Sequence, residues 1–295
     1  MLNSYSYNNV DDSQARSLIS ELLHESRLYR SGQDYQEMLD FVVRLRNFAP
    51  FNAFLLHTQK PGLRFAAFAS DWRRRFERTV KEGARPLVIM WPFSPVAWVY
   101  DVEDTDGPDL PRDIAEAFRA TGPIDQYSIK WFIQSLAKHG IETLQGEYGD
   151  GLAGFICKPD SVTTEIVKRV EKTKEPKADK EKSHYRIRLN QAHSPSLRFA
   201  TLTHELAHLF LGHLGYDGYL KITDRRNIAH ELREIEAESV CYIVCRRNGV
   251  EPDSWRYLAN FRQCEELLAR LDYYPLLKAA GRIETVLELA THSRF

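Results

Sequence analysis

A chain of 295 residues with 43% hydrophobic and 27% charged side chains has the make-up of a globular protein long enough for two cores. Forty Lys and Arg against 41 Asp and Glu leave a formal net charge of −1, so no global field draws it to nucleic acid or to a membrane surface. The opening Met1-Leu2-Asn3-Ser4 stretch lacks the basic region and apolar core of a signal peptide, no apolar run is long enough to span a bilayer, and the four cysteines form no C-x-x-C pair, so the expected setting is a reducing cytoplasm with no membrane partner.

Residues 1–13 are polar and read as loose. Helices are expected from Ser13 to Tyr29 and from Tyr35 to Asn47, the second with Leu39, Val42, Val43 and Leu45 as its apolar residues. Pro50 opens another helix through Phe54, Leu55 and Leu56. A Trp72-Arg73 pair opens the next, where Arg73, Arg74, Arg75, Arg78, Lys81 and Arg85 concentrate positive charge beside Trp72 and Phe76. Cations can hold a phosphate backbone while aromatics stack on bases, which makes Trp72, Arg73, Arg74, Arg78 and Lys81 candidate nucleic-acid contacts. The alternative is an amphipathic helix with its arginines in water and its aromatics in the core. Two strands, Pro86 to Pro92 and Val96 to Val102, flank a turn expected at Ser94-Pro95.

From Asp101 to Arg112 the chain is acidic and turn-rich and reads as an interdomain loop, without the glutamate an EF-hand would need after Gly107. The expected division is an N-terminal domain at 1–105, a linker at 106–122 and a second domain at 123–295. Lys168 to Ser183 is almost wholly polar and reads as an insertion. Tyr185 to Asn190 then alternates as a short strand.

Ser194-Pro195 is an N-cap and first helical residue for a segment carrying Leu197, Phe199, Leu202, Leu206, Leu209 and Phe210. Inside it lies Thr203-His204-Glu205-Leu206-Ala207-His208. A spacing of four sets His204 and His208 one turn apart on one face, so both rings reach a single metal ion, while Glu205 lies about 100° around the helix. Glu205 is therefore placed to act on a water at the metal rather than to bind it. Burying two histidines and a glutamate among leucines is costly unless a metal and partners satisfy them. Zinc is the default for such ligands, and a third must come from downstream. A helix expected from about Asp224 to Asn248, closed by Gly249, sets Glu234 and Glu238 on one face with His230 above and Cys241 below. Glu234 is the preferred ligand and Glu238 the carboxylate that orients a ligating histidine through its free ring N–H. Glu231 and Glu236 stay open, although Glu236 faces about 200° away from Glu234. Cys241 and Cys245, one turn apart, read as buried free thiols. Beyond Asp253-Ser254, further helices are expected at Trp255–Phe261 and, after Gly281, from Arg282 to Leu289.

The run Thr-Leu-Thr-His-Glu-Leu-Ala-His-Leu-Phe-Leu-Gly-His, followed by Glu-x-x-Ala-Glu, resembles the ImmA/IrrE metallopeptidases and the catalytic domain of ArdC-type antirestriction proteins. The resemblance implies His204, His208 and Glu234 as ligands, Glu205 as the base, and a strand at Tyr185–Asn190 that borders the cleft and pairs with an extended substrate peptide. Val240-Cys241 stands where the family has Phe-Ala, and no Leu-Met-Pro follows, which sets the chain nearer the ArdC-like group. His213 is no metzincin ligand, because Leu211 and Leu214 occupy the positions that pattern reserves for glycine and histidine. The N-terminal half, through Asn52, Leu55, Leu56, Trp72, Arg73 and Val80-Lys81-Glu82-Gly83, is similar to the single-stranded-DNA-binding domain of ArdC-like proteins.

The expectation is thus an α+β protein, a zincin-like metallopeptidase domain preceded by a smaller ArdC-like domain. It would use Zn2+ to cut a specific intracellular protein, such as a transcriptional repressor or another regulator in stress response or mobile-element defence, with His230 or a tyrosine as oxyanion donor. The alternative is a single-stranded-DNA-binding antirestriction protein whose metal site is structural or vestigial.

Overall fold

A computed structural model describes residues 32–91, 94–110, 124–146, 153–158, 184–252 and 270–289. The expected helix at Ser13–Tyr29, the polar insertion at Lys168–Ser183, the helix at Trp255–Phe261, most of the linker and Cys264 lie outside these residues. The protein is α+β and forms two compact units divided between residues 118 and 119.

In the N-terminal unit, α1 (Gly32–Arg44) packs on α2 (Pro50–Gln59), whose first position is the proline that needs no helical N–H donor. Their contact buries Met38, Leu39, Val42, Phe54 and Leu55. Three strands follow in the order β1 (Ala66–Ala67), β4 (Ser94–Asp101), β3 (Leu87–Trp91), all antiparallel. Gln59 ties α2 to the sheet, its side-chain amide donating to the Val88 carbonyl at 2.8 Å and accepting from the Val88 N–H at 2.8 Å. Ser94 and Pro95, expected in a turn, belong to β4, with Ser94 registered against Trp91. Pro95 sits near a strand start, where a missing N–H costs least.

The basic segment folds differently from a single long helix. Helix α3 (Ala69–Phe76) stops at Glu77, which adopts the left-handed conformation at φ 53°. Beyond it β2 (Thr79–Val80) pairs antiparallel with β5 (Thr105–Asp106). The acidic stretch read as an interdomain loop is therefore ordered in its first six residues: Asp101 ends β4 and caps a 3-10 turn at Val102–Asp104, and Thr105–Asp106 form β5. What orders it is Arg78, buried and donating to the Thr105 hydroxyl (2.7 Å), the Thr105 carbonyl (2.8 Å), and the carbonyls of Gly107 and Pro108.

The C-terminal unit is built on a three-stranded sheet in the order β6 (Ile141–Gly146), β8 (Tyr185–Asn190), β7 (Gly154–Cys157), with β6 parallel and β7 antiparallel to β8. Helix α4 (Gln126–Ala137) precedes β6 and is opened by a capping box between Asp125 and Ser128. Helix α5 (Pro195–Phe210) lies across β7 and β8 and against α6 (His230–Arg247), and α7 (Tyr273–Val286) packs on both helices. Ser194 caps α5, accepting from the Leu197 N–H, with Pro195 following as expected. Leu197 itself is 40% exposed, while Phe199, Leu202, Leu206 and Leu209 are buried. The α6 helix begins at His230 rather than Asp224, because residues 224–229 form a loop pinned by the Arg225 N–H to the Gly212 carbonyl at 3.0 Å. Helix α7 runs through Gly281 instead of starting after it, capped at Asp272. A buried ion pair locks α6 to α7: Arg247 Nε donates to Glu284 Oε1 at 2.6 Å, with both side chains at most 3% exposed.

One expected role is overturned by the topology. The strand Tyr185–Asn190 forms with its expected bounds, but it is the central strand, and both of its edges are already bonded. A peptide cannot pair with it. The outer strands beside it are β6 and β7, and each has an edge that no described strand covers.

Candidate metal centre

The apolar stripe of α5 faces the sheet and α6, which leaves His204, Glu205 and His208 on the one part-exposed strip of the helix. Across from it, α6 presents Glu234. The ring nitrogens His204 Nε2 and His208 Nε2 lie 3.1 Å apart, and the Glu234 carboxylate oxygens lie 3.7 Å from the first and 3.6 Å from the second. Two imidazole nitrogens and a carboxylate oxygen on a tetrahedral divalent ion, each bonded at about 2.0–2.2 Å, stand about 3.3 Å from one another. The donor chemistry and the spacing therefore fit a metal ion, and His204, His208 and Glu234 form a cluster of metal-binding type. Glu231, left open as a ligand, is outside that cluster among the described residues.

Each of the two rings is held from behind. Glu238, one turn after Glu234, places Oε1 3.3 Å from His204 Nδ1, the orienting contact expected of it. The partner of His208 was not anticipated. His208 Nδ1 is 2.9 Å from His213 Nδ1, and His213 Nε2 is 3.1 Å from Glu236 Oε2. Glu236 is fully buried and accepts two bonds from Arg225, at 2.6 and 2.9 Å. The residue facing away from Glu234 thus serves the second histidine from the far side. The signal for it was a turn: Gly212 at φ 81° reverses the chain after α5 and brings His213 back under His208.

Electrostatically the two rings differ. Burial disfavours charge on both, yet at His204 the Glu238 carboxylate overrides it and holds the pKa up at about 9. At His208 burial, reinforced by the nearby His204, pushes it down to about 3. One ring is charged and its neighbour neutral, so a metal ion bound by both would displace a proton from His204. Glu205 is raised above the usual carboxylate range, mainly by burial, with His204 and the backbone N–H of Ile156 acting in the opposite sense. That N–H belongs to β7, so the outer strand reaches the carboxylate beside the ligands.

Beneath the ligands, Thr203 Oγ1 lies 3.4 Å from both Cys241 Sγ and Cys245 Sγ. The two thiols are buried, free and 3.9 Å apart. His230, at the start of α6, is 70% exposed, with Nδ1 3.6 Å from Glu234 Oε1, which puts it at the rim of the site.

The N-terminal candidates are placed otherwise. Trp72 is fully buried against Phe65 and Phe76, and its indole N–H donates to the Tyr100 carbonyl at 2.9 Å. It has no face on which a base could stack. Arg78 is the structural anchor of β5, and Lys81 donates to the Glu103 carbonyl at 2.8 Å. Arg73 and Arg74 are exposed on α3. The expected stacking platform fails because the aromatic residues of this segment are its core.

Among the described residues no helix is long and apolar enough to cross a membrane. No curated protein matches the sequence significantly. Two solved structures resemble it at 16% identity: the antirestriction protein ArdC from plasmid R388 without metal (81% of this chain, 82% of that chain, TM-score 0.37) and the same protein with Mn(II) bound (88%, 99%, TM-score 0.42). Residues 162–244 match the family model described as the IrrE N-terminal-like domain, peptidase M78. The segment of this chain that is IrrE-like is the one that carries His204, Glu205, His208, Glu234 and Glu238.

Proposed function

We propose that the protein is a zinc-dependent endopeptidase that cleaves a specific regulatory protein inside the cell. The observation that carries this reading is the triangle of His204, His208 and Glu234 with the Glu205 carboxylate beside it, held by the Ile156 N–H. A divalent metal bound by the three ligands would supply Lewis acidity, polarising a peptide carbonyl and acidifying a water molecule. The protein's own groups do the rest. Glu205, with its pKa raised by burial, accepts the proton from the attacking water and passes it to the leaving amine nitrogen. Glu238 and His213 keep the two rings aimed at one point. His230 at the rim, with Nδ1 3.6 Å from Glu234 Oε1, is the donor for the negative charge that develops on the carbonyl oxygen. The edge of β7 that no described strand covers offers backbone groups to an extended peptide, a role the resemblance implied for its neighbour β8.

Glu205→Gln tests the reading. The variant is expected to retain metal, measured by elemental analysis, while turnover of its substrate falls about a hundredfold or more. The tagged variant, used to trap and identify bound proteins, supplies that substrate. Undiminished proteolysis by metal-replete Glu205→Gln overturns the mechanism.

A further inference from the structure

Behind the metal centre, between α7 and the loop that follows α5, lies a cavity of about 240 Å3 that the peptidase reading does not use. Its wall carries four cations, Lys221, Arg225, Lys278 and Arg282, and one carboxylate, Asp272. In a chain of net charge −1 this is a local concentration of positive charge. Asp272 is engaged as the cap of α7, accepting from the Tyr274 N–H at 3.1 Å. Arg225 is matched by Glu236. Among the described residues, Lys221, Lys278 and Arg282 form no ion pair. The cations are also positioned by the fold. Arg282 stacks over the Phe210 ring at 4.6 Å and donates to the Leu220 carbonyl at 2.5 Å. Lys278 lies over the Tyr274 ring at 5.5 Å. Lys221 is held in the left-handed conformation at φ 52°, uncommon for a residue with a side chain, by a tight reversal in which Asp217 and Ile222 exchange both backbone hydrogen bonds.

We propose that this cavity binds a phosphate-bearing small molecule and that occupancy is felt at the metal centre. The volume sits below the usual range of drug-sized pockets, which suits a small monophosphate rather than a macromolecular chain. Lys221 and Lys278, with no ion pair among the described residues, together with the stacked Arg282 guanidinium favour an anion with several acceptor oxygens. The coupling runs through Arg225. Its guanidinium lines the cavity and holds Glu236, which holds His213, which holds the ring of His208. An anion that draws Arg225 away from Glu236 alters the group that orients a metal ligand.

The test is calorimetric titration of the full chain, first metal-free, with inorganic phosphate, adenosine 5′-monophosphate and adenosine. Saturable binding of either phosphate but not of adenosine, weakened about tenfold by Lys221→Glu and by Lys278→Glu, supports the site. A tighter complex with the nucleotide shows that the cavity also takes the group attached to phosphate, and equal affinities show that phosphate alone is read. Both lysines are exposed, and circular dichroism of the variants checks that the fold persists. Absence of saturable binding, or binding indifferent to both substitutions in folded protein, overturns the proposal. For the coupling, saturating nucleotide is expected to change metal affinity at least about fivefold in the wild type and not in Lys278→Glu. Unchanged metal affinity in the wild type overturns the coupling.

Discussion

Replacing Glu238 by glutamine separates the two jobs that this carboxylate performs on His204. It orients the ring, with Oε1 3.3 Å from Nδ1, and it stabilises the protonated ring, whose pKa stands at about 9. At pH 7 the metal-free wild type therefore has the ring neutral in about one molecule in a hundred, and binding must release that proton. The sign follows directly: metal affinity rises with pH and levels off above pH 9. Between pH 7 and 9 the gain is about fiftyfold, because the ring is half neutral at pH 9, or ~2.3 kcal/mol at ~1.36 kcal/mol per unit. In Glu238→Gln the charged ring loses its partner, so this proton no longer competes above about pH 6.5. The loss of orientation remains and weakens metal binding about 10- to 100-fold. The two proteins should thus have similar affinities at pH 7 and diverge at pH 9, with the wild-type slope steeper by one proton. Competition against a chromophoric chelator gives the affinities, and calorimetry in buffers of different ionisation enthalpy counts the protons. Parallel slopes for wild type and variant would refute the assignment of Glu238 as the partner of His204.

Trp72→Ala should cost about 3–5 kcal/mol in urea unfolding of the N-terminal unit, because it empties a fully buried indole site and removes the N–H that donates to the Tyr100 carbonyl. A loss under about 1 kcal/mol would mean that the ring is not the core residue argued here. Gly212→Ala should destabilise by more than about 2 kcal/mol and weaken metal binding, since a Cβ there meets the Thr223 carbonyl oxygen at 2.0 Å in a backbone of φ 81°. Wild-type stability together with wild-type metal affinity in this variant would contradict it. Glu284→Leu breaks the buried ion pair with Arg247 and should cost about 3–5 kcal/mol in thermal or urea unfolding. Adding Arg247→Met should recover most of that loss, and an equally unstable double variant would argue against the pair.

The sequence disclosed the candidate metal centre because the residues of its cluster obey helical arithmetic. His204 and His208 sit four apart, and Glu234 and Glu238 repeat the spacing on the facing helix, so each pair shares a face whatever the tertiary fold. Glu236 and His213 could not be read that way. Their contact depends on a glycine turn and a loop, neither of which has a period. The strand at Tyr185–Asn190 was visible in its alternation, but whether a strand is central or outer is decided by pairing partners far away in sequence, here Ile141–Gly146 and Gly154–Cys157. The basic segment misled for another reason. Arginines and aromatics look alike in a nucleic-acid face and in an amphipathic element over a core, and burial alone tells them apart. Arg78 would have been counted as free charge, yet it spends its donors on four acceptors in the Thr105–Pro108 turn.

The single bond from Ile156 to Glu205 divides the chain's instructions in an unexpected place. Everything needed to seize a metal is written within residues 204–238, two helices and the turn between them. The backbone N–H beside Glu205, the proposed proton carrier, is written elsewhere, in a short strand far upstream. On the proposed mechanism, metal capture and turnover are separable traits. Changes in β7 that keep its pairing with β8 can silence the chemistry while leaving a fully loaded metal protein, and a lineage of such chains would carry intact ligands with no hydrolysis behind them.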